Sequence, residues 1–364
     1  MGKKVMKIAI LTGGGDCPGL NAVIRAVTKT LILENNAEIT GILDGYDGLV
    51  LEEYRKLGYS DVSGILAMGG TILGTSNVAN PYKYPVKDCD KIVFKDLSKT
   101  VIRNLKKLGA ECLVCVGGDG TLNIANSLFR DGVPVVGIPK TIDNDIYGTD
   151  VSFGFDTAMS IAAEGIDRLE TTGQSHHRIM ILEVMGRRSG WLALYAGVAG
   201  GADIVLLPEI PYDMDVVAKV VKARNGMGKR FSMVVVSEGA KPKGGDVVGR
   251  KVLNDGSDPI RLGGIGFVLA DDISRMTGLE TRTVVLGHLM RGGSPTPFDR
   301  VLGTRLGVKA AGLIQKKKYG YMVGVNGSDL VDVPLTVVAK GSRLVPPDHE
   351  LIKQAKSVGT SFGV

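Results

Sequence analysis

KIAILTGGGDCPGLNAVIRAVTKTLIL, residues 7–33, decides the fold. Its first six residues form a short apolar run of strand length. A glycine-rich turn follows, and from about Leu20 to Leu33 apolar residues recur at helical spacing. Strand, glycine loop and helix in that order form the repeating unit of a parallel α/β sheet. ECLVCVGGDGTLNIANSLFR, residues 111–130, repeats it: strand Glu111–Val116, loop GGDG, helix Leu122–Arg130 ending at Gly132.

Outward from these two units the alternation continues. Glu38–Leu43 and Val133–Ile138 read as strands, and the second ends at Pro139. Leu97, Val101, Leu105 and Leu108 mark a helix that Gly109 stops. Helices are expected over about 157–171, 189–199, 214–224 and 297–311. Strands are expected over 178–184, 203–207 and 231–237, with a further apolar run at 282–286. Repeated βα units imply mostly parallel sheets with helices on both faces, so the fold class is α/β. In such folds ligands bind beyond the carboxyl ends of the strands, where the glycine-rich and polar motifs of this chain fall. The segment 239–262, rich in Gly, Lys and Asp, reads as an exposed excursion.

The 364 residues suit two α/β lobes or one large domain. No run of about 18 apolar residues occurs, and the N-terminus lacks a signal-peptide cleavage site, so a cytoplasmic protein without a membrane anchor is expected. The net charge is +6, yet no block of five basic residues exists and aromatic residues are only 5%. That argues against a nucleic-acid partner and leaves a mixture of dispersed surface charge and arginines gathered around phosphates. Cys112 and Cys115 form a C-x-x-C, but inside an apolar strand and with no second ligand pair. They read as small core residues rather than a metal or redox pair, with Cys17 and Cys89 the remaining two.

Four motifs carry chemistry. Gly13–Gly14–Gly15–Asp16 lets main-chain N–H groups approach phosphate at a helix N-terminus. No G-x-x-x-x-G-K-[ST] occurs, so the chain is not a P-loop NTPase. In Gly117–Gly118–Asp119–Gly120–Thr121, Asp119 is suited to hold Mg²⁺, directly or through water; the alternative is a helix cap. In Pro139–Lys140–Thr141–Ile142–Asp143–Asn144–Asp145, an extended backbone turns Thr141, Asp143 and Asp145 to one side; the alternative is an ordinary Asx-rich turn. Two carboxylates that close raise one pKa and make a general base. Arg178, Arg187, Arg282, His288 and Arg291 follow apolar strands and match phosphate in type.

LTGGGDCPGLNAVIR, GGDGT, PKTIDND, HHRIMILEVMGRRSGW, VVVSEGA and TRTVVLGHLMRGGSPTPFDR stand in the order seen in phosphofructokinases. From about residue 7 to 310 the chain resembles that family. The resemblance implies two Rossmann-like lobes: a donor lobe of 1–154 plus about 290–340, and a fructose 6-phosphate lobe of about 155–289 plus 341–364. It implies phosphoryl transfer to the 1-hydroxyl of fructose 6-phosphate, with Mg²⁺ as cofactor. Residue by residue it gives the donor to Gly14, Gly15, Gly118, Asp119, Gly120, Thr121, Lys140 and Asn77, with Asp119 at the metal. Asp143 becomes the base with Asp145 beside it, and Thr141, Gly15 and Arg187 attend the transferred group. Met185, Gly186 and Glu238 hold the sugar; Arg178, Arg282, His288 and Arg291 bind the 6-phosphate. In the family the arginines matching 178 and 282 come from a neighbouring subunit, which implies a homo-oligomer, dimer or tetramer. Arg25 and Lys29 lie where bacterial members bind effectors.

Family members use ATP or pyrophosphate. Gly120 leaves room for the ATP α-phosphate where pyrophosphate users carry Asp, and this steric criterion favours ATP. Lys140 is the residue pyrophosphate users carry, and Asn77 and Ile124 replace an Arg and a Gly common in ATP users. Two other readings compete. A GGDG kinase acting on NAD or lipid leaves the paired aspartates unexplained. A non-catalytic sugar-phosphate sensor requires a broken catalytic set, and this one is complete.

Overall fold

In the computed structural model, which describes residues 5–88, 91–252 and 260–364, strand Lys7–Gly13 leads through the glycine loop into helix Leu20–Asn35. Neighbouring residues of a strand face opposite ways. Ile8 and Ile10 enter one apolar cluster, Ala9 and Leu11 another, and all four are buried. A strand covered on both faces is apolar throughout, which is why KIAIL shows no polar alternation.

Among the described residues, seven strands form the first sheet. Their order is Asp329–Pro334, Tyr321–Asn326, Val135–Pro139, Cys112–Gly117, Lys7–Gly13, Glu38–Ile42 and Tyr54–Leu57. The inner five run parallel, and each outer strand is antiparallel to its neighbour. A second sheet is all parallel, ordered Thr281–Val285, Ile179–Val184, Ser232–Ser237 and Ile204–Leu206. The C-terminal tail joins its far edge, where Val205 N donates to Ser361 O at 2.9 Å. One apolar cluster holds Ile8 and Val114 from the first sheet together with Leu182, Val184 and Val235 from the second, so the two share a core. Each sheet's other face has its own cluster.

Register brings the motif loops together. Gly13 is level with Gly117, and Gly117 with Pro139, so three loops of the first sheet leave at one edge. In the second sheet Val184 is level with Ser237, so Met185–Arg187 and Glu238 emerge side by side. The turn Gly287–Arg291 follows strand Thr281–Val285 at the same end.

Helix Phe155–His176 and helix Pro297–Gln315 cap each other. Asp299 Oδ2 accepts from Thr157 N at 2.8 Å and from Thr157 Oγ1 at 2.5 Å. Thr296 Oγ1 donates to Asp156 Oδ2 at 2.6 Å. Each helix thus satisfies first-turn groups of the other, a task usually done locally.

Cys112 and Cys115 sit three apart on one strand, so they fall on opposite faces and in different clusters. Both thiols are free and buried, and burial pushes Cys115 up to about 12. The core reading of this C-x-x-C holds, while Cys89 lies outside the described residues. The excursion expected over 239–262 contains an antiparallel pair, Gly249–Val252 with Ile260–Leu262; residues 253–259 lie outside the described residues. The two antiparallel outer strands, the hairpin Tyr84–Asp88 with Lys91–Lys95, and helix Ile265–Thr277 go beyond the sequence reading. Among the described residues, no helix is long and apolar enough to cross a membrane.

Candidate active site

The paired strand ends Gly13 and Gly117 grip one side chain. A Cβ on Gly117 would come within 2.3 Å of Thr121 Cβ, and one on Gly13 within 2.7 Å of Thr121 Oγ1. Thr121, expected at the donor, is buried and packs against both glycine loops, and its carbonyl accepts from Tyr46 OH at 2.9 Å. Helix Asp119–Arg130 begins earlier than the sequence suggested, so Asp119 lies in its first turn, with Oδ1 taking Gly120 N at 2.7 Å. Gly118 is half-buried beside the Lys140 carbonyl. A Cβ on Gly120 would meet nothing within 4 Å. Exposed Asn77 follows Ser76, whose carbonyl receives Gly14 N at 3.1 Å.

Lys140 is buried, and its Nζ donates to the Gly15 carbonyl. Burial pulls this lysine below its ordinary value. Gly15 also faces Arg291: a Cβ there would lie 2.5 Å from Nη1, which donates to Asp16 O at 3.0 Å. Arg291, expected on the sugar 6-phosphate, thus reaches the first glycine loop in this structure.

From Thr141 to Ile146 exposure alternates. Thr141, Asp143 and Asp145 are half-buried, while Ile142, Asn144 and Ile146 are buried. The expected extended backbone is not the cause. Asn144 is left-handed, with φ 52°, a conformation asparagine tolerates better than most residues. Its Oδ1 accepts from Ser152 N at 2.9 Å. Thr141 Oγ1 accepts from Asp143 N at 3.0 Å. The Asp143 carboxylate has a buried Oδ1 with no hydrogen-bond partner. Burial raises its pKa, Arg291 and Lys140 draw it down, and Asp119 pushes it up. Asp145 is pushed up to about 7, first by burial and then by Asp143 and Asp119. Three carboxylates and two cations therefore act on one another in one cleft.

The second sheet supplies the opposite wall. Glu238 N donates to Val184 O at 2.9 Å, and Ser237 Oγ holds the Gly186 carbonyl at 2.6 Å. Glu238 is pushed up to about 7 by burial and by Asp143, with Arg291 opposing. Met185 packs against the shared core and Arg187 is half-buried. Ser189 Oγ donates to Asp143 O at 3.3 Å, joining the walls. His288 is exposed on the turn that carries Arg291.

Arg178 and Arg282 are elsewhere. Arg178 precedes strand Ile179–Val184, and Arg282 is level with Met180 near its start. At about 3.3 Å per residue, Arg178 stands roughly 20 Å and Arg282 roughly 13 Å from the strand's carboxyl end. Glu280 holds both, with Arg178 Nε 2.9 Å from its Oε2.

The sequence reading missed Arg343 and Ser342. Arg343 Nη2 donates to the carbonyl oxygens of Asn144, at 2.7 Å, and Asp150, at 2.9 Å. Ser342 hydrogen-bonds the Asp145 carboxylate. No motif marks them, because they reach the site from a distant, irregular segment.

Residues 7–314 match the family model described as Phosphofructokinase. The chain is 53% identical over 364 residues to ATP-dependent 6-phosphofructokinase 2 of Clostridium perfringens, covering all of both chains. It is 47% identical over 345 residues to the pyrophosphate–fructose 6-phosphate 1-phosphotransferase of Amycolatopsis methanolica, covering 94% of this chain and 97% of that one. Among solved structures it is similar to Pichia pastoris phosphofructokinase in the T-state, with a TM-score of 0.80 and 30% identity. That likeness covers 98% of this chain and 36% of the yeast one.

Proposed function

The chain belongs to the phosphofructokinase family, and on that footing we propose that it transfers the γ-phosphoryl group of ATP to the 1-hydroxyl of fructose 6-phosphate. One observation carries the reading: the Asp143 carboxylate has an unpartnered buried Oδ1 and interacts electrostatically with Arg291, Lys140 and Asp119. A carboxylate free of partners is available to a substrate hydroxyl; burial raises its pKa, which suits a proton acceptor, and the cations oppose that rise.

Asp143 takes the proton from the 1-hydroxyl as its oxygen attacks the γ-phosphorus. The β–γ bridge bond breaks and ADP leaves. Main-chain groups at Gly14, Gly15 and Gly118 and the cations Lys140 and Arg187 stand by the phosphates, and Thr141 by the transferred group. Such transfer depends on positioning and charge neutralisation more than on covalent chemistry. Mg²⁺ suits the acidic cleft: Asp119 would hold it with Asp143 and Asp145 nearby, and the bound cation would neutralise donor-phosphate charge. Met185, Gly186 and Glu238 are assigned to the sugar. His288 and Arg291 of the same chain, with Arg178 and Arg282 of a neighbour, are assigned to its 6-phosphate. The strand-length separation of those last two from their own cleft supports a homo-oligomer, dimer or tetramer. So do the exposed apolar residues Val284, Val285, Leu289 and Phe298 on and after the edge strand. The sheet memberships support a donor lobe of 1–154 plus about 290–340 and a sugar lobe of about 155–289 plus 341–364. Free, buried cysteines accord with the cytoplasm.

Gly120 favours ATP, because open space lies where its side chain would project. Lys140, seated against Gly15, favours the second reading, pyrophosphate as donor. Protein supplied with fructose 6-phosphate, Mg²⁺ and one donor at a time decides between them. Turnover with ATP alone is expected; turnover with pyrophosphate alone would overturn the ATP assignment.

A further inference from the structure

Asn144 separates the two aspartates in a left-handed conformation, which persists only where the surroundings fix it. Residues 150–152 fix its side chain, and its carbonyl and that of Asp145 are held from the chain's last fifth. Besides the two bonds from its Nη2, Arg343 donates its own N–H to Asp145 O at 2.7 Å. So one residue binds the carbonyls of Asn144, Asp145 and Asp150. Arg343 is itself held on the sugar side. Its guanidinium lies over the Trp191 ring at 4.5 Å, and Trp191 Nε1 donates to Arg343 O at 2.8 Å. Trp191 opens the helix that follows Met185–Gly190, and Glu209 clasps both ends of the arrangement. Its Oε1 accepts from Gly190 N at 2.9 Å and from Val345 N at 2.8 Å.

We propose that Arg343 is a positioning residue for phosphoryl transfer, fixing the Asp143–Asp145 segment relative to the sugar-binding loop by tying the carbonyls of Asn144, Asp145 and Asp150 to Trp191. The inference rests on the reading of Asp143 as the base. Arg343 touches no reacting atom; it acts through the backbone that carries the carboxylates. A planar guanidinium bonds in its plane and stacks on an indole face, while a lysine ammonium gives point donors without the stack. Misplacing a base by about 1 Å costs on the order of a hundredfold in rate. A loose base segment should therefore lower kcat and spare ground-state binding.

Full-length wild type, R343K and R343M are compared for kcat, for KM of both substrates, and for denaturant midpoint. R343M is expected to lose roughly 10- to 100-fold in kcat, with both KM values within about threefold of wild type. R343K is expected to lie between, down roughly 3- to 10-fold, since it restores carbonyl donors without the stack. Millimolar guanidinium should raise the kcat of R343M and leave that of wild type unchanged. R343K with wild-type kcat would overturn the proposal, and it decides alone if R343M does not fold. So would R343M no worse than R343K, or losses that follow the denaturant midpoint and are not recovered by guanidinium. Wild type inactive with either donor would instead remove the proposed function, before any variant is compared.

Discussion

A Cβ at Gly120 would meet nothing within 4 Å, whereas one at Gly13 or Gly117 would press into Thr121. Packing therefore explains the latter two glycines and leaves Gly120 to be explained by something from outside the chain. Gly120→Asp should abolish turnover with ATP by adding bulk and negative charge where the α-phosphate passes. Unchanged ATP kinetics would refute that steric account. Asp143→Ser should lower kcat by about 10²- to 10⁴-fold, the span of general-base contributions. Fructose 6-phosphate affinity, measured by calorimetry, should change little, and a small loss of rate would take Asp143 out of the mechanism. Lys140 and Glu238 were marked only by the family resemblance, whereas Asp119 and Asp143 were legible because glycine and carboxylate spacing follows the strand ends. Arg343 and the reach of Arg291 to Gly15 were not, since a long side chain's destination depends on which distant loop folds beside it.

The mutual capping of helices Phe155–His176 and Pro297–Gln315 concentrates on Asp299, which is fully buried. Asp299→Ala would strand the Thr157 N–H without an acceptor and leave its hydroxyl only Thr296 Oγ1, at 3.5 Å. Unsatisfied buried donors cost about 1–3 kcal/mol, so the denaturant midpoint should fall accordingly; a midpoint equal to wild type would show that the cap contributes nothing. Most parallel strands and their helices could be read from apolar runs, because burial on both faces leaves a plain signature. The hairpin Tyr84–Asp88 with Lys91–Lys95 could not. Residues 91–95 are all exposed, so no burial pattern was written into them. Helix Ile265–Thr277 does carry Ile265, Leu269 and Ile273 at four-residue steps. Exposed Phe267 and Val268 blur that stripe.

For the whole molecule, buried carboxyl groups in the cleft and at the helix caps make stability depend on pH. Burial holds Asp145 and Glu238 at about 7 and Asp299 at about 6, against ordinary values of 3.8, 4.5 and 3.8. The folded chain keeps these protons more tightly than the unfolded chain. Their stabilising effect is complete below about pH 4 and drains away as the pH rises to about 7. Asp145→Asn removes one such group. Its denaturant midpoint should fall less than that of wild type between about pH 5 and about pH 7.5, and an equal fall would count against the burial argument. That two sheets share one core was not legible, because apolar runs do not say which sheet they cover. Arg178 and Arg282 stand a strand's length from the cleft of their own chain, which has a consequence for mixtures. Two separately dead proteins, Asp143→Ser and Arg282→Ala, should revive each other when unfolded and refolded together. In a randomly mixed dimer, half the particles are hybrids, and each owns one intact centre, so about a quarter of the normal rate should return.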